Sequence, residues 1–316
     1  HRPLYDWVVR ELEYPMPPRQ IEFAKLYLTN VVTGKRYIKK LVDQGIVDGW
    51  DDPRLVTIAA LRRRGYTPES IKMFMEMVGV SKSNSSVDYA MLDYCIREDL
   101  KMKRPRMMAV LHPLKLVIDN YPESQIEYLD VPNNQENEAL GTRKVPFGRE
   151  LYIEQDDFMA EPVKKYFRLF PGNEVRFKSA YFIKCNSYDT DENGNVTCLH
   201  CTYDPESRGG NSPDGHKVKG TIHWVNANDC KQCEVRLYDR LFSAEEPGKN
   251  GDYFDDLNPD SLEVIENCLL EGGFENAKPG DTFQFMRNGY FCVDKDSTED
   301  KLVFNRTVAL NSSWGK

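Results

Sequence analysis

The chain has 316 residues, 40% of them hydrophobic and 29% charged, with 42 Lys and Arg against 50 Asp and Glu for a net charge of -8. That is an ordinary globular composition with room for two or three domains. No run of eighteen apolar residues exists to form a membrane helix, and a net acidic balance is unusual for a general nucleic-acid binder.

The chain starts at His1 with no apolar signal segment behind it, which predicts a piece of a longer, unexported protein and a cytoplasmic location. Leu4 to Leu12 has helical apolar spacing, and Ile21 to Leu28 alternates like a strand. A small basic loop, Thr33-Gly34-Lys35-Arg36, leads into a helix through Ile38, Leu41 and Val42 that Gly45 stops. Leu55 to Arg64 predicts a helix ending at Gly65. Thr67 and Pro68 open the next, which ends before Gly79, and Ser85 or Ser86 caps a third that runs through Met91, Leu92, Cys95 and Ile96. Beyond residue 106 short strand-like runs recur between Gly, Asn, Asp and Pro. Among them are Lys115–Ile118, Arg149–Ile153 and Ala180–Lys184, a texture of β-barrels or sandwiches.

Charge is unevenly spread. Residues 1–120 hold 20 basic and 15 acidic side chains, a net of +5, leaving 22 and 35, or -13, for 121–316. Basic clusters occur at Lys35–Lys40, Arg62–Arg64, Lys101–Arg106 and Lys164–Arg168. Each fits a solvated face or a polyanion-binding face equally well.

Eight cysteines in an unexported chain of this length point to reduced thiols. Cys198-x-x-Cys201 and Cys230-x-x-Cys233, with 28 residues between them, match a four-thiolate zinc spacing. Both pairs adjoin strand-like sequence, however, and a strand puts positions i and i+3 on opposite faces, which favours buried free thiols over zinc. Asp189-Thr190-Asp191-Glu192-Asn193-Gly194 starts like a calcium loop, but its twelfth position is His200. Asn193-Gly194 fits a hairpin turn better. Asn84, Asn195, Asn305 and Asn311 head glycosylation sequons that are expected to be unmodified surface positions. No phosphate-binding glycine loop or nucleophile triad is evident. The Thr33–Arg36 loop alone, with backbone donors beside two cations, suits a phosphate.

Taken together, Leu4-Tyr5-Asp6-Trp7, Gly49-Trp50-Asp51-Asp52-Pro53-Arg54, Leu61-Arg62-Arg63-Arg64-Gly65, Arg97-Glu98-Asp99-Leu100, Pro105-Arg106, Val145-Pro146-Phe147, Ile222-His223-Trp224-Val225, Val235 to Phe242, Gly289-Tyr290-Phe291 and Val303 to Thr307 resemble the C-terminal part of the glutaminyl-tRNA synthetases, over nearly the whole chain. The resemblance implies an α+β multidomain protein. Residues 1–44 would be the end of a Rossmann-type catalytic domain and 45–104 a helical connecting domain. Residues 105–316 would form two antiparallel anticodon-binding barrels, the proximal one from roughly 105–150 plus 235–316 and the distal one from roughly 151–234.

The resemblance also implies roles. Lys25 and Leu26, with Thr33, Gly34, Lys35 and Arg36 at the site of the class I signature loop, would hold Mg-bound ATP, and Lys35 would stabilise charge developing on its phosphates. Ser81, Lys82, Ser83, Asn84, Ser85, Ser86, Val87 and Asp88 would touch the tRNA elbow. Arg106, Arg168, Arg176, Gln284 and Arg287 fall on anticodon contacts, and Lys101, Lys165 and Lys178 replace family residues there. The partners would be tRNA(Gln), ATP and L-glutamine, acting on a monomer with no membrane. Without the His-Ile-Gly-His half of the site, this piece is expected not to activate glutamine alone. Two rival readings are an archaeal-type glutamyl-tRNA synthetase and a stand-alone RNA-binding module with zinc at Cys198, Cys201, Cys230 and Cys233.

Overall fold

The computed structural model describes residues 1–210, 214–274 and 276–311. Five helices occupy the first hundred residues: α1 (Arg2–Glu11), α2 (Lys35–Asp43), α3 (Ile58–Arg64), α4 (Pro68–Val78) and α5 (Tyr89–Lys101). Local chemistry sets most of their ends. Thr57 caps α3 by accepting from the Ala60 amide at 3.1 Å, and Gly65 closes it in the left-handed region at φ +101°. Thr67 caps α4 on the Ser70 amide, with Pro68 in the first turn.

Two expectations fail here. α5 is capped by Asp88, not by Ser85 or Ser86, because Ser85–Val87 is a strand paired in parallel with Leu26–Leu28. Only those last three residues of the alternating run 21–28 are in a strand; of the rest, Ala24 makes a single backbone bond, to the Ser81 carbonyl, and no ladder forms among the described residues.

A two-stranded antiparallel ladder, Glu127–Pro132 with Thr142–Phe147, and two seven-stranded sheets form most of the remainder. One runs in the order Thr221–Ile222, Glu174–Phe177, Phe182–Thr190, Val196–Tyr203, Pro113–Ile118, Glu150–Glu154, Val225–Asn226. Its two edge strands are separated in sequence by only His223 and Trp224, so the edges lie within about 11 Å and the sheet must curl onto itself. The other runs Arg106–Met107, Thr282–Phe285, Gly289–Val293, Leu302–Ala309, Lys231–Tyr238, Leu262–Leu270, Ala109–Val110, and here Met108 alone separates the edges. Both are therefore barrel-like, as the recurrent short strands predict. Neither is purely antiparallel: Val196–Tyr203 pairs in parallel with Pro113–Ile118, and Lys231–Tyr238 with Leu302–Ala309. Pro113–Ile118, expected in the proximal barrel, belongs to the same sheet as residues 150–226.

Each barrel has an aromatic core. Trp224 and Phe147 meet edge to face at 5.1 Å in the first, and Phe285 stacks on Phe291 at 4.3 Å in the second.

The Arg62–Arg64 cluster proves largely internal. Arg64 is buried and donates to the carbonyls of Pro53, Tyr238 and Thr307, while Arg63 pairs with Asp294 at 2.8 Å and Asp296 at 2.9 Å. Arg97 adds a bond to the Ala309 carbonyl, and Arg240 pairs with Asp93 at 2.6 Å across the face of Tyr89. A Cβ at Gly65 would sit 2.7 Å from that of Cys292, so glycine also permits this close approach. These contacts bind the helical region to the second barrel. Asn305, expected at the surface as a sequon, is buried here and donates to the Arg63 carbonyl.

Candidate nucleic-acid interface

Where the two barrels meet, four separate stretches converge. Arg106 opens the short edge strand after α5. Lys178 follows the strand Glu174–Phe177, and His223 lies between the closing strands of the first barrel. Gln284 and Arg287 come from the hairpin Thr282–Phe285 and Gly289–Val293. Together with Gln135, Thr221, Ile222 and Met286, they line a cavity of about 230 Å³. The parallel register Gln284↔Arg106 sets two of the polar groups side by side.

The cavity is electropositive in a graded way. Lys178 is half-buried and has no carboxylate partner among the described residues. Burial and the nearby Arg106 and Arg176 guanidinium groups push its ammonium below the usual lysine range. Arg176 stacks 5.4 Å above the Phe182 ring and packs against Gly210. The Nε atoms of Arg106 and Arg176 and the Oε1 of Gln284 are buried with no hydrogen-bond partner among the described residues. Unused donors and an acceptor next to uncompensated positive charge suit an anionic ligand that presents hydrogen-bonding edges.

Two acidic residues that sequence reasoning missed hold the remaining cations. Asp157, wholly buried, takes Arg287 in a bidentate pair at 2.6 Å on both arms and Arg168 at 3.3 Å. Glu136 takes Arg106 at 2.5 Å and Lys101 at 3.1 Å, and those bonds hold its carboxyl below the usual range. The Asn134 side chain positions Glu136 by donating to the carbonyls of Lys101 and Arg104 while accepting from the Glu136 amide. His223 lies 3.3 Å from Arg287 and 3.4 Å from Glu154. Burial opposes ionisation of Glu154, but His223 and the amides of His112 and Leu111 outweigh it and hold the carboxyl at about 2. Lys165 stands apart, exposed on a turn at φ +69°. Asp157 and Glu136 carry no local pattern that marks them; only the partners they meet do.

The Thr33–Arg36 segment is not wholly a loop. Gly34 is the N-cap of α2, with Lys35 and Arg36 in its first turn, both exposed. The Gly34 carbonyl accepts from the Tyr37 and Ile38 amides, and the Tyr37 ring meets Tyr253 edge on at 5.1 Å. This helix start therefore rests against a loop between two strands of the second barrel, with two exposed cations in its first turn. Lys25 Nζ lies 4.5 Å above the Tyr27 ring.

The Ser81–Asp88 stretch is bound to that same strand. Ala24 donates to the Ser81 carbonyl, Lys25 to Asn84 Oδ1, and Leu26, Tyr27 and Leu28 pair with Ser85, Ser86 and Val87. Lys82 remains exposed, beside Arg2, Arg19 and Glu22 around a shallow depression.

The four CxxC cysteines are not brought together. Cys201 packs in the first barrel's core opposite Cys185, and Cys233 in the second's opposite Cys268, so the spacing is no four-thiolate site. Asp191–Gly194 is a hairpin turn in which Asp191 Oδ1 accepts from the Asn193 and Asn195 amides, and it turns between strands as the Asn-Gly pair predicts.

Comparison with known families agrees with this architecture. Residues 1–102 match the catalytic-domain model of "tRNA synthetases class I (E and Q)", and residues 105–204 and 221–294 match two anticodon binding domain models of the same class. Proteins named glutamine-tRNA ligase from Clostridium perfringens and Clostridioides difficile are each 56% identical over 99% of this chain. One from Bradyrhizobium diazoefficiens is 51% identical over all of it. The chain spans 57%, 57% and 56% of those relatives' lengths. With every segment from the first helices to the second barrel matched in order, the chain belongs to the class I tRNA synthetases of the E and Q group.

Proposed function

We propose that this chain is the C-terminal part of a glutamine-tRNA ligase, an enzyme that joins L-glutamine to tRNA(Gln) through an adenylate formed from Mg-bound ATP. Residues 1–44 would be the end of a Rossmann-type catalytic domain, 45–104 a helical connection, and the two barrels the anticodon reader. The observation that carries this reading is the cavity between the barrels, where Arg106, Lys178, Gln284 and Arg287 surround unpaired buried donors and an acceptor. Splayed anticodon bases present free Watson–Crick edges and phosphates, which match such a lining. Arg168, Arg176, Lys101 and Lys165 would extend the contact along the strand, and the Ser81–Asp88 stretch would meet the tRNA elbow.

Thr33, Gly34, Lys35 and Arg36 would cradle the ATP phosphates at the start of α2, with Lys25 and Leu26 beside the adenosine. Lys35 would stabilise charge as the adenylate forms. We further infer that this chain alone does not activate glutamine, because the other half of a class I ATP site would have to come from the missing part of the relatives' length. The enzyme would act as a cytoplasmic monomer.

The test is a binding titration against tRNA(Gln) transcripts carrying single anticodon substitutions. Salt-sensitive binding that falls with each substitution is expected, and Arg106→Ala or Arg176→Ala should weaken it and flatten the differences. Equal affinity for all anticodons would sink the reading. ATP–pyrophosphate exchange by this chain alone would overturn the proposal of inactivity.

A further inference from the structure

A second chemical cluster lies on the outer face of the first barrel and takes no part in the cleft. Cys198 and His200 are two apart on the strand Val196–Tyr203, so both project outward, while Leu199 and Cys201 point into the core. Asp189 is the direct cross-strand partner of Cys198 on the neighbouring strand. The Cys198 sulfur, a His200 ring nitrogen and an Asp189 carboxylate oxygen all lie within 4.8 Å of one another. Thus the spacing on this strand that can share a ligand is Cys198-x-His200, not Cys198-x-x-Cys201.

We propose that Asp189, Cys198 and His200 bind one divalent transition metal ion of the zinc type, through a carboxylate oxygen, Sγ and Nε2, leaving a fourth position to solvent. A tetrahedral ion at ordinary bond lengths holds its ligand atoms about 3.5 Å apart, so the widest pair, within 4.8 Å, has only a short way to close, while the His200–Asp189 pair at 3.0 Å opens slightly. Thiolate with imidazole selects borderline-soft ions over magnesium or calcium.

The second supporting observation is Asp119. His200 Nε2 lies 3.0 Å from Asp189 Oδ2, and its other nitrogen, Nδ1, lies 3.3 Å from Asp119 Oδ1. With Nε2 on a metal, Nδ1–H would donate to Asp119, the carboxylate–histidine support by which metal sites fix the tautomer and ring angle. Asp119 is itself held in place: its amide donates to the Cys201 carbonyl at 2.8 Å, and the side chain of the next residue, Asn120, bonds both backbone groups of Tyr203. Lys115 also neighbours Cys198, but its ammonium is paired with Glu150 at 2.9 Å. The bound ion would tie the two strands of this hairpin together near its Asp191–Gly194 turn, with Asp119, just past the strand Pro113–Ile118, bracing His200.

The test uses the full chain, stripped with a chelator, kept reduced, and titrated with Co²⁺ and then Zn²⁺. One equivalent of Co²⁺ is expected to bind with tetrahedral visible bands and a sulfur-to-cobalt charge-transfer band, both abolished when Zn²⁺ displaces it. Cys198→Ser should remove the charge-transfer band, His200→Gln should weaken binding at least 100-fold, and Asp119→Asn should weaken it about 10- to 100-fold at unchanged stoichiometry. Cys230→Ser should bind like the parent. These side chains sit on the barrel's outer face, and circular dichroism of each metal-free variant checks that it folds. Absence of the charge-transfer band at stoichiometric cobalt, its survival in Cys198→Ser, or its loss in Cys230→Ser would each overturn the proposal. The first outcome would leave His200 as an ion-pair partner of the two aspartates only.

Discussion

Arg287 reaches across the junction of the barrels to Asp157, with Nη1 2.6 Å from Oδ2 and Nη2 2.6 Å from Oδ1 of a carboxylate that is wholly buried. Arg287 holds φ +70° at the tip of its hairpin to do so, a conformation that costs a side-chain-bearing residue roughly 1–2 kcal/mol. Because Arg168 approaches the same carboxylate, one acidic group positions two cations of the cleft. Removing it by Asp157→Asn should cost about 2–3 kcal/mol in urea unfolding. The released guanidinium groups should also bind substituted anticodons more nearly as well as the parent one, so discrimination shrinks. Unaltered discrimination in the same titration would separate Arg287 from recognition.

Lys178 yields a prediction of opposite signs. Its charge is half-buried and repelled by Arg106 and Arg176, so Lys178→Met should leave stability equal or raise it by about 0.5–1 kcal/mol. The same change should weaken tRNA binding and reduce the slope of log affinity against log salt by about 1. Thermal unfolding and a salt-dependent binding series read the two effects separately.

Arg64 is expected to matter for stability and not for ligands. Its guanidinium is spent on backbone carbonyls of three distant segments. Arg64→Ala should cost about 3 kcal/mol by orphaning those acceptors and opening a cavity, and it should loosen the helical region from the second barrel. Limited proteolysis, with the cut falling between residues 45 and 105, checks this.

Acid should attack the same junction. Burial opposes ionisation of Asp294, but Arg63, the Asp296 amide and the Asn305 side chain outweigh it and hold the carboxyl at about 2, against 3.8 for a free one. A depressed acid contributes stability that is complete above about pH 4 and is lost as pH falls toward 2, on the order of 2 kcal/mol in all. Asp294→Asn should lower stability at neutral pH and flatten the acid limb of a denaturation series over that window.

Gly210 combines a left-handed backbone, φ +81°, with a side-chain neighbour that a methyl group would reach: an added Cβ would lie 2.8 Å from Arg176 Cδ. Gly210→Ala should therefore cost about 1–2 kcal/mol and displace Arg176 from the Phe182 ring. A parallel loss of tRNA affinity is expected, and retained affinity would argue against a role for Arg176.

Interactions that span a few residues were legible in the amino-acid sequence by itself. The caps at Thr57 and Thr67, the left-handed stop at Gly65, the Asp191–Gly194 turn and the rule that a strand cannot gather Cys198 with Cys201 all depend on neighbours within a turn or a pleat. Contacts between distant segments were decided only in three dimensions. Arg64 reads as part of a surface charge run until the carbonyls of residues 238 and 307 arrive to receive it, and Ser85 or Ser86 reads as a cap until Leu26–Leu28 supplies a ladder. Pro113–Ile118 could close either barrel until it pairs with Val196–Tyr203. Arg287 and Asp157 are 130 residues apart, and a carboxylate that meets its partner at that separation leaves no periodicity behind. Burial and charge pairing belong to the folded surface, so the cleft exists only where the two barrels meet.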